Sequence, residues 1–131
     1  MKRGIFISAL TLLLSSITGH AAAAGFMNNG DAWERLPTQL QSAYIEGIND
    51  SSNLVFINDD LPTAIVKVAR TRCLAERKTT AANLASEVTN VYVNNKAMAQ
   101  QPPIVVYLYV MTATCKDYIN QERHRLGLPP A

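Results

Sequence analysis

The chain has 131 residues and a formal net charge of +2. Lys2 and Arg3 account for this excess, because residues 25–131 contain equal numbers of basic and acidic side chains. This balance excludes the strong basicity expected of a nucleic-acid-binding protein, and residues 25–131 are too few for two compact domains.

The N-terminal segment has the pattern of a secretory signal peptide. Lys2 and Arg3 precede a largely apolar run over residues 5–14, and a tract of small residues ends at Ala24. This run is shorter than the roughly 20 residues that span a bilayer, so we expect cleavage near Ala24 rather than membrane insertion. Residues 1–24 are then the signal peptide, and residues 25–131 form one periplasmic domain without a membrane anchor.

Two cysteines, Cys73 and Cys115, lie in the part expected to be exported. Because exported compartments are oxidising, we expect a structural disulfide between them. Closing a loop of about 42 residues stabilises a fold by about 4 kcal/mol on the chain-entropy estimate. The alternative is a reactive thiol pair, but the Cys-x-x-Cys spacing typical of such pairs is absent.

The exported part begins with two predicted helices. Asp31 is the expected cap of a short helix that carries Trp33, and Pro37 opens a second helix that runs to about Ser52. Apolar residues at helical spacing predict the buried stripe of this second helix. The stripe consists of Leu40, Tyr44, Ile45 and Ile48.

A short apolar run at residues 54–57 follows, with the polar turn Asn58–Asp60 after it. The run is β-prone but has no partner strand, so we expect a buried connector. Asp60 is then the cap of a third helix that Pro62 opens. Its predicted buried positions are Leu61, Ile65, Ala69 and Cys73.

Two further helices complete the predicted fold. Thr79 or Thr80 caps a helix that ends at Asn94–Lys96, with its apolar stripe at Leu84, Val88, Val91 and Tyr92. The Val and Tyr content of residues 104–111 favours a strand, but the segment continues without a breaker to about Arg125, and this length favours one long helix. Its expected buried positions are Ile104, Leu108, Met111, Cys115 and Ile119. The pattern predicts a small all-α bundle of four or five helices around one core, with the disulfide at the middle of the last helix.

Catalytic chemistry is not indicated. His124, the sole histidine of residues 25–131, is expected to be exposed, and no nucleophile motif or metal-ligand cluster accompanies it. Asp50, Asp59 and Asp60 are the one acidic grouping, which we interpret as helix caps and solvated charges rather than an acid–base pair. We therefore predict a protein that is not an enzyme and has no metal or cofactor.

Several residues permit both a structural and a binding interpretation. Trp33, Phe56, Tyr107 and Tyr109 could line a pocket, although aromatic residues at helical spacing favour a place in the core. Gly47 lies inside a helical pattern, where it costs about 1 kcal/mol relative to alanine. Close helix packing is the preferred reason for this glycine, and admission of a partner is the alternative.

Several residues follow one another in a recognisable order: Trp33, the Tyr-Ile-x-Gly-x-x-Asp motif at 44–50, Cys73, Thr79, Tyr92 and Cys115. This order resembles the Rap/Tai family of periplasmic immunity proteins, which protect bacteria from type VI secreted cell-wall amidases. The resemblance implies an all-helical, disulfide-bridged and often dimeric protein that inhibits an amidase by placing a loop in its cleft. A weaker likeness, over residues 44–80, is to acid-stress periplasmic chaperones of the HdeA type.

Two polar, turn-rich segments between predicted helices are the candidate partner-binding loops. The partner implied is a protein, a cell-wall hydrolase, and the protein itself is a possible homodimer. The candidate residues are Asn58, Asp59, Asp60, Asn94, Asn95, Lys96, Gln100 and Gln101.

Overall fold

The computed structural model describes residues 26–131. The predicted signal peptide and its cleavage near Ala24 lie outside these residues. The part of the chain that is described contains six α-helices, one short 3₁₀ helix and no strand, so the predicted all-α bundle with one disulfide is confirmed. The α-helices are α1 (Gly30–Glu34), α2 (Thr38–Asn53), α3 (Leu61–Glu76), α4 (Ala81–Asn94), α5 (Pro103–Thr114) and α6 (Lys116–Arg125), and the 3₁₀ helix is Lys96–Met98.

Side-chain caps fix the beginnings of three helices. The Asp60 carboxylate accepts a hydrogen bond from the Thr63 amide at 2.8 Å, as predicted for the cap of α3. Thr80 and Asn83 form a reciprocal capping box at the start of α4. The cap of α1 is Asn29 rather than Asp31, because the Asn29 side chain accepts from the Ala32 amide and Asp31 lies in the first helical turn.

One hydrophobic core receives side chains from all six α-helices. The main helix pairs are α2 with α4, α3 with α6, and α4 with α5. Trp33 and Tyr107 are the largest fully buried side chains, and the indole N–H of Trp33 donates to the Thr89 hydroxyl at 2.9 Å. The core also contains Ile45, Ile48, Ala69, Cys73, Leu84, Ala85, Val88, Tyr92, Val106, Val110, Met111, Cys115 and Ile119.

The predicted buried stripes are correct in the centres of the helices and wrong at their beginnings. Leu40, Leu61 and Ile104 were expected to be buried, but all three are exposed. In α2 and α5 an adjacent residue of the first turn is buried instead, Gln41 beside Leu40 and Pro103 beside Ile104. In α3 the first three residues are all exposed, and the first buried side chain is that of Ile65. Apolar spacing alone does not identify which side of the first helical turn meets the core.

The disulfide joins Cys73 on α3 to Cys115 as predicted. Cys115 does not lie in the middle of one long helix, however, because the chain bends there and separates α5 from α6. No glycine or proline causes this bend. Instead α5 packs mainly on α4 while α6 packs on α3, so tertiary contacts divide the predicted helix.

An ion pair to the buried Glu122 holds α6 on α3. Glu122 on α6 pairs with Arg72 on α3 and with Arg125 of its own helix, whose Nη2 lies 2.9 Å from a Glu122 oxygen. The Arg72 guanidinium also lies 5.3 Å from the centre of the Tyr118 ring on α6. Arg72 therefore ties α6 to α3, and without it the buried Glu122 carboxylate would keep only the exposed Arg125 as a counter-charge.

Across residues 26–131, every helix is too short or too polar to cross a membrane.

Candidate protein-interaction site

The most prominent surface feature is the apolar loop, defined as residues 54–57 between α2 and α3. The sequence predicted a buried connector here, and this prediction is wrong: all four side chains are exposed, with Ile57 at 99% and Phe56 at 54%. The physical reason is that a short connection between two helices runs over the surface, where its backbone groups reach water. Four exposed apolar side chains in succession therefore mark this loop as a candidate contact surface.

The loop is closed by a turn around Asp59. The Asp59 carboxylate accepts a hydrogen bond from the Phe56 amide at 2.8 Å, and the Asp59 amide donates to the Phe56 carbonyl at 3.0 Å. An aspartate that binds nearby backbone groups in this way stabilises a turn. Asp59 thus sets the backbone conformation that presents Phe56 and Ile57.

Lys67 on α3 connects this turn to the helical scaffold. Its ammonium group lies 2.7 Å from the Asp59 carboxylate, donates to the Leu54 carbonyl at 3.0 Å and is 4.8 Å from the centre of the Phe56 ring. The hydrogen bond from Lys67 is the main reason that the pKa of Asp59 is lowered, followed by the bond from the Phe56 amide. One lysine therefore holds both ends of the loop.

The apolar surface continues from the loop onto α3. Leu61 and Val68 are both exposed and lie seven residues apart, which places them on the same face of the helix. Pro62, which follows Leu61, is exposed, and Lys67, which precedes Val68, is half-buried. The apolar loop thus has a neighbouring face of the same chemical character.

The three candidate residues beside the loop have different roles. Asn58 is exposed and free to contact a partner, whereas Asp59 is engaged in the turn. Asp60 is used as the α3 cap, and hydrogen bonds from Thr63 lower its pKa. The candidate residues predicted from the sequence thus lie next to the apolar loop, but they are the polar residues that follow it rather than its exposed apolar side chains.

The second candidate segment serves mainly as a structural connection. Asn94 donates to the Asn90 carbonyl, Asn95 caps the 3₁₀ helix, and the Gln101 carbonyl accepts from the Tyr92 hydroxyl at 2.8 Å. Lys96 and Gln100 are exposed. The segment lies against α1, because the Gly30 amide donates to the Ala99 carbonyl, whereas the apolar loop follows the last residue of α2. The structure does not bring the two predicted segments into one site.

The other residues considered for function fall into two groups. Trp33 and Tyr107 are buried in the core, as the preferred interpretation held, whereas Phe56 and Tyr109 are exposed. Gly47 is exposed, and a Cβ added there would meet nothing within 4 Å, so close packing does not explain this glycine. Asp50 and His124 are exposed, and residues 26–131 contain no cluster of side chains that could hold a metal ion.

Sequence reasoning missed Ile57 and Lys67, and it preferred a place in the core for Phe56. A signal for Phe56 and Ile57 was present, because an apolar run bounded by Asn53 and Asn58 in a short connection between helices has little chain with which to return to the core. No local signal identified Lys67, since its contacts with Leu54 and Asp59 form only when α3 packs beside the loop.

Comparison with protein families, with curated proteins and with solved structures finds no match for this chain.

Proposed function

We propose that this protein is a periplasmic immunity-type binding protein that inhibits a secreted cell-wall amidase. The observation that carries the proposal is the apolar loop, which is exposed and is held at both ends by Lys67 and Asp59. The resemblance to the Rap/Tai family supplies the class of partner. Its members inhibit by inserting a loop into a cleft, and this chain has a loop of suitable chemistry.

A loop that is fixed before binding lowers the entropic cost of binding. A flexible loop loses conformational freedom when it binds, whereas a loop already fixed in one conformation keeps more of its contact free energy as affinity. Aromatic and aliphatic side chains that enter a pocket commonly dominate the affinity of a protein interface. Phe56 and Ile57 are expected to be these anchors, and Asn58 a polar contact at their edge.

The partner can be identified by capturing periplasmic and secreted proteins on oxidised residues 25–131 at neutral pH, followed by mass spectrometry. We expect one cell-wall hydrolase at a stoichiometric level. Its affinity for the Ile57→Asp variant should fall by roughly 30-fold or more, as for a central anchor of an interface. Val93→Asp is the matched control, because Val93, like Ile57, is an exposed β-branched aliphatic residue but lies on α4, outside the loop.

Equal affinities of the Ile57→Asp and Val93→Asp variants would contradict the role of the loop. The acid-stress chaperone remains the alternative function, and it makes a different prediction: a mixed set of client proteins that appears only after acidification. Capture of one hydrolase at neutral pH is not expected of such a chaperone, so the same experiment separates the two functions.

A further inference from the structure

Arg70 on α3 is a buried cation without a carboxylate partner. It is 9% exposed, and no ion pair among residues 26–131 includes it. Its closest hydrogen-bond acceptor is the Thr112 hydroxyl, 3.5 Å from Nη2, and its Nε has no acceptor. Residues 1–25 contain no aspartate or glutamate either.

This arrangement is unfavourable for the protein alone. A buried guanidinium without a counter-charge loses solvation that its single long hydrogen bond does not replace. In agreement with this, burial lowers the pKa of Arg70. An anion beside Arg70 would supply the missing charge.

Arg70 lines an open surface pocket of about 280 Å³ that lies between α3 and the ends of α2 and α6. This volume is several times the roughly 30 Å³ that one water molecule occupies in the liquid. Arg123 on α6 also lines the pocket; its Nε donates to the Pro129 carbonyl, and it too forms no ion pair within residues 26–131. Ser52 and Thr63 contribute hydroxyl-bearing side chains to the wall, and none of the lining residues is acidic.

We propose that this pocket binds an oxyanion, a carboxylate or a phosphate group, through Arg70 and Arg123. Guanidinium groups form paired, charge-assisted hydrogen bonds with both kinds of anion, and the two hydroxyls are additional donors. Lys67, at the edge of the same pocket, is neutralised by Asp59 and is therefore not counted among the anion ligands. The site is independent of the proposed contact with an amidase, although it lies beside the apolar loop.

The test is a titration of oxidised residues 25–131 with sodium phosphate and, separately, with sodium acetate at constant ionic strength set by chloride. Side-chain N–H signals of arginine in NMR spectra are the readout, and they distinguish a bound anion from a general effect of salt on stability. We expect a saturable shift of the Arg70 and Arg123 signals with at least one of the two anions. The anion that saturates at the lower concentration identifies whether the pocket prefers the tetrahedral or the planar group.

Variants assign the effect to the pocket. Arg70→Met and Arg123→Gln should each weaken the binding of that anion by at least tenfold, whereas Arg35→Gln, which removes an exposed arginine beyond α1, should leave it unchanged. If Arg70→Met does not fold, Arg123→Gln decides the question. A linear shift without saturation, or equal effects of Arg123→Gln and Arg35→Gln, would overturn the proposal.

Discussion

Gly47 on α2 and Gly30 on α1 differ in what an added methyl group would meet. The space around Gly47 is open, whereas a Cβ on Gly30 would lie 2.8 Å from the Tyr92 ring. We therefore expect Gly47→Ala to raise the free energy of unfolding by about 1 kcal/mol, the helix-propensity difference between the two residues. Gly30→Ala should lower it, because Tyr92 is buried and bonded to the Gln101 carbonyl and has little freedom to move.

Urea unfolding of the two variants and the wild type measures both changes. The same variant tests the alternative role of Gly47, which is to admit a binding partner at an exposed position of α2. If Gly47→Ala is more stable and still binds the captured hydrolase equally well, the glycine has no role in binding. A destabilised Gly47→Ala variant would contradict the open space around this position.

Asp59 gives the apolar loop a defined pH dependence. Its pKa in the folded protein is lowered, chiefly by the hydrogen bond from Lys67, relative to the ordinary value of about 3.9. The carboxylate therefore stabilises the turn fully above pH 3.9, and this contribution is lost as the pH falls through the lowered folded value. NMR signals of residues 54–57 should stay constant from pH 7 to about pH 5 and change only below pH 3.9.

Two variants separate the loop from the neighbouring helix cap. Asp59→Asn should shift the signals of residues 54–57 already at neutral pH and remove their acid transition. Asp60→Asn keeps an oxygen that accepts from the Thr63 amide, so it should leave the signals of residues 54–57 and their acid transition unchanged. A loop transition that persists in Asp59→Asn would show that another group controls it.

At the scale of the elements, local chemistry predicts where α3 and α4 begin. Asp60 before Leu61-Pro62 identifies the start of α3, and Thr79 or Thr80 before Ala81 the start of α4, because a cap acts within three residues of itself. The bend at Cys115 was not predictable in this way, since it follows from α5 and α6 packing on different helices. The exposure of residues 54–57 was also missed, because the same apolar run fits a buried connector and a contact loop.

The disulfide joins α3 to the junction of α5 and α6, and its removal should affect these elements together. Its two cysteines are 42 residues apart, for which the chain-entropy estimate gives about 4 kcal/mol. We expect the Cys73→Ala, Cys115→Ala double variant to lose about this much free energy of unfolding. Urea unfolding of the wild type with and without reductant is the measurement that checks it, since reduction should reproduce most of the loss without changing a side chain. A loss below about 1 kcal/mol would mean that other contacts, such as the ion pair of Arg72 with Glu122, already fix α6 on α3.

At the scale of the whole molecule, the balance of charge over residues 26–131 conceals its uneven distribution along the chain. Residues 26–60 contain six carboxylates and one basic side chain, Arg35, whereas residues 61–131 contain nine basic and four acidic side chains. The net charge indicates that these residues are not basic as a whole. A net charge cannot locate a local excess of positive charge, such as Arg70 and Arg123 lining one pocket. The candidate anion pocket was beyond sequence reasoning because its lining residues come from α2, α3 and α6. The apolar loop is one continuous segment, and only its attachment to Lys67 depends on a second element.

The single tryptophan allows a test of whether the six helices unfold as one unit. Trp33 lies on the five-residue α1, which is too short to be stable alone, yet it is fully buried and bonded to Thr89 on α4. Its backbone carbonyl also accepts a hydrogen bond from the buried Gln41 side chain of α2 at 2.9 Å. We therefore expect Trp33 fluorescence and helical circular dichroism to give coincident urea transitions, as in two-state unfolding. A fluorescence change at lower urea than the loss of helix would show that α1 detaches first. The Trp33→Phe variant keeps an aromatic ring but loses the bond to Thr89. If α1 detaches first, this variant should have nearly the wild-type midpoint in its dichroism transition. If α1 is instead an integral part of the core, that variant should unfold at clearly lower urea, because the core loses volume and the Thr89 hydroxyl loses its donor.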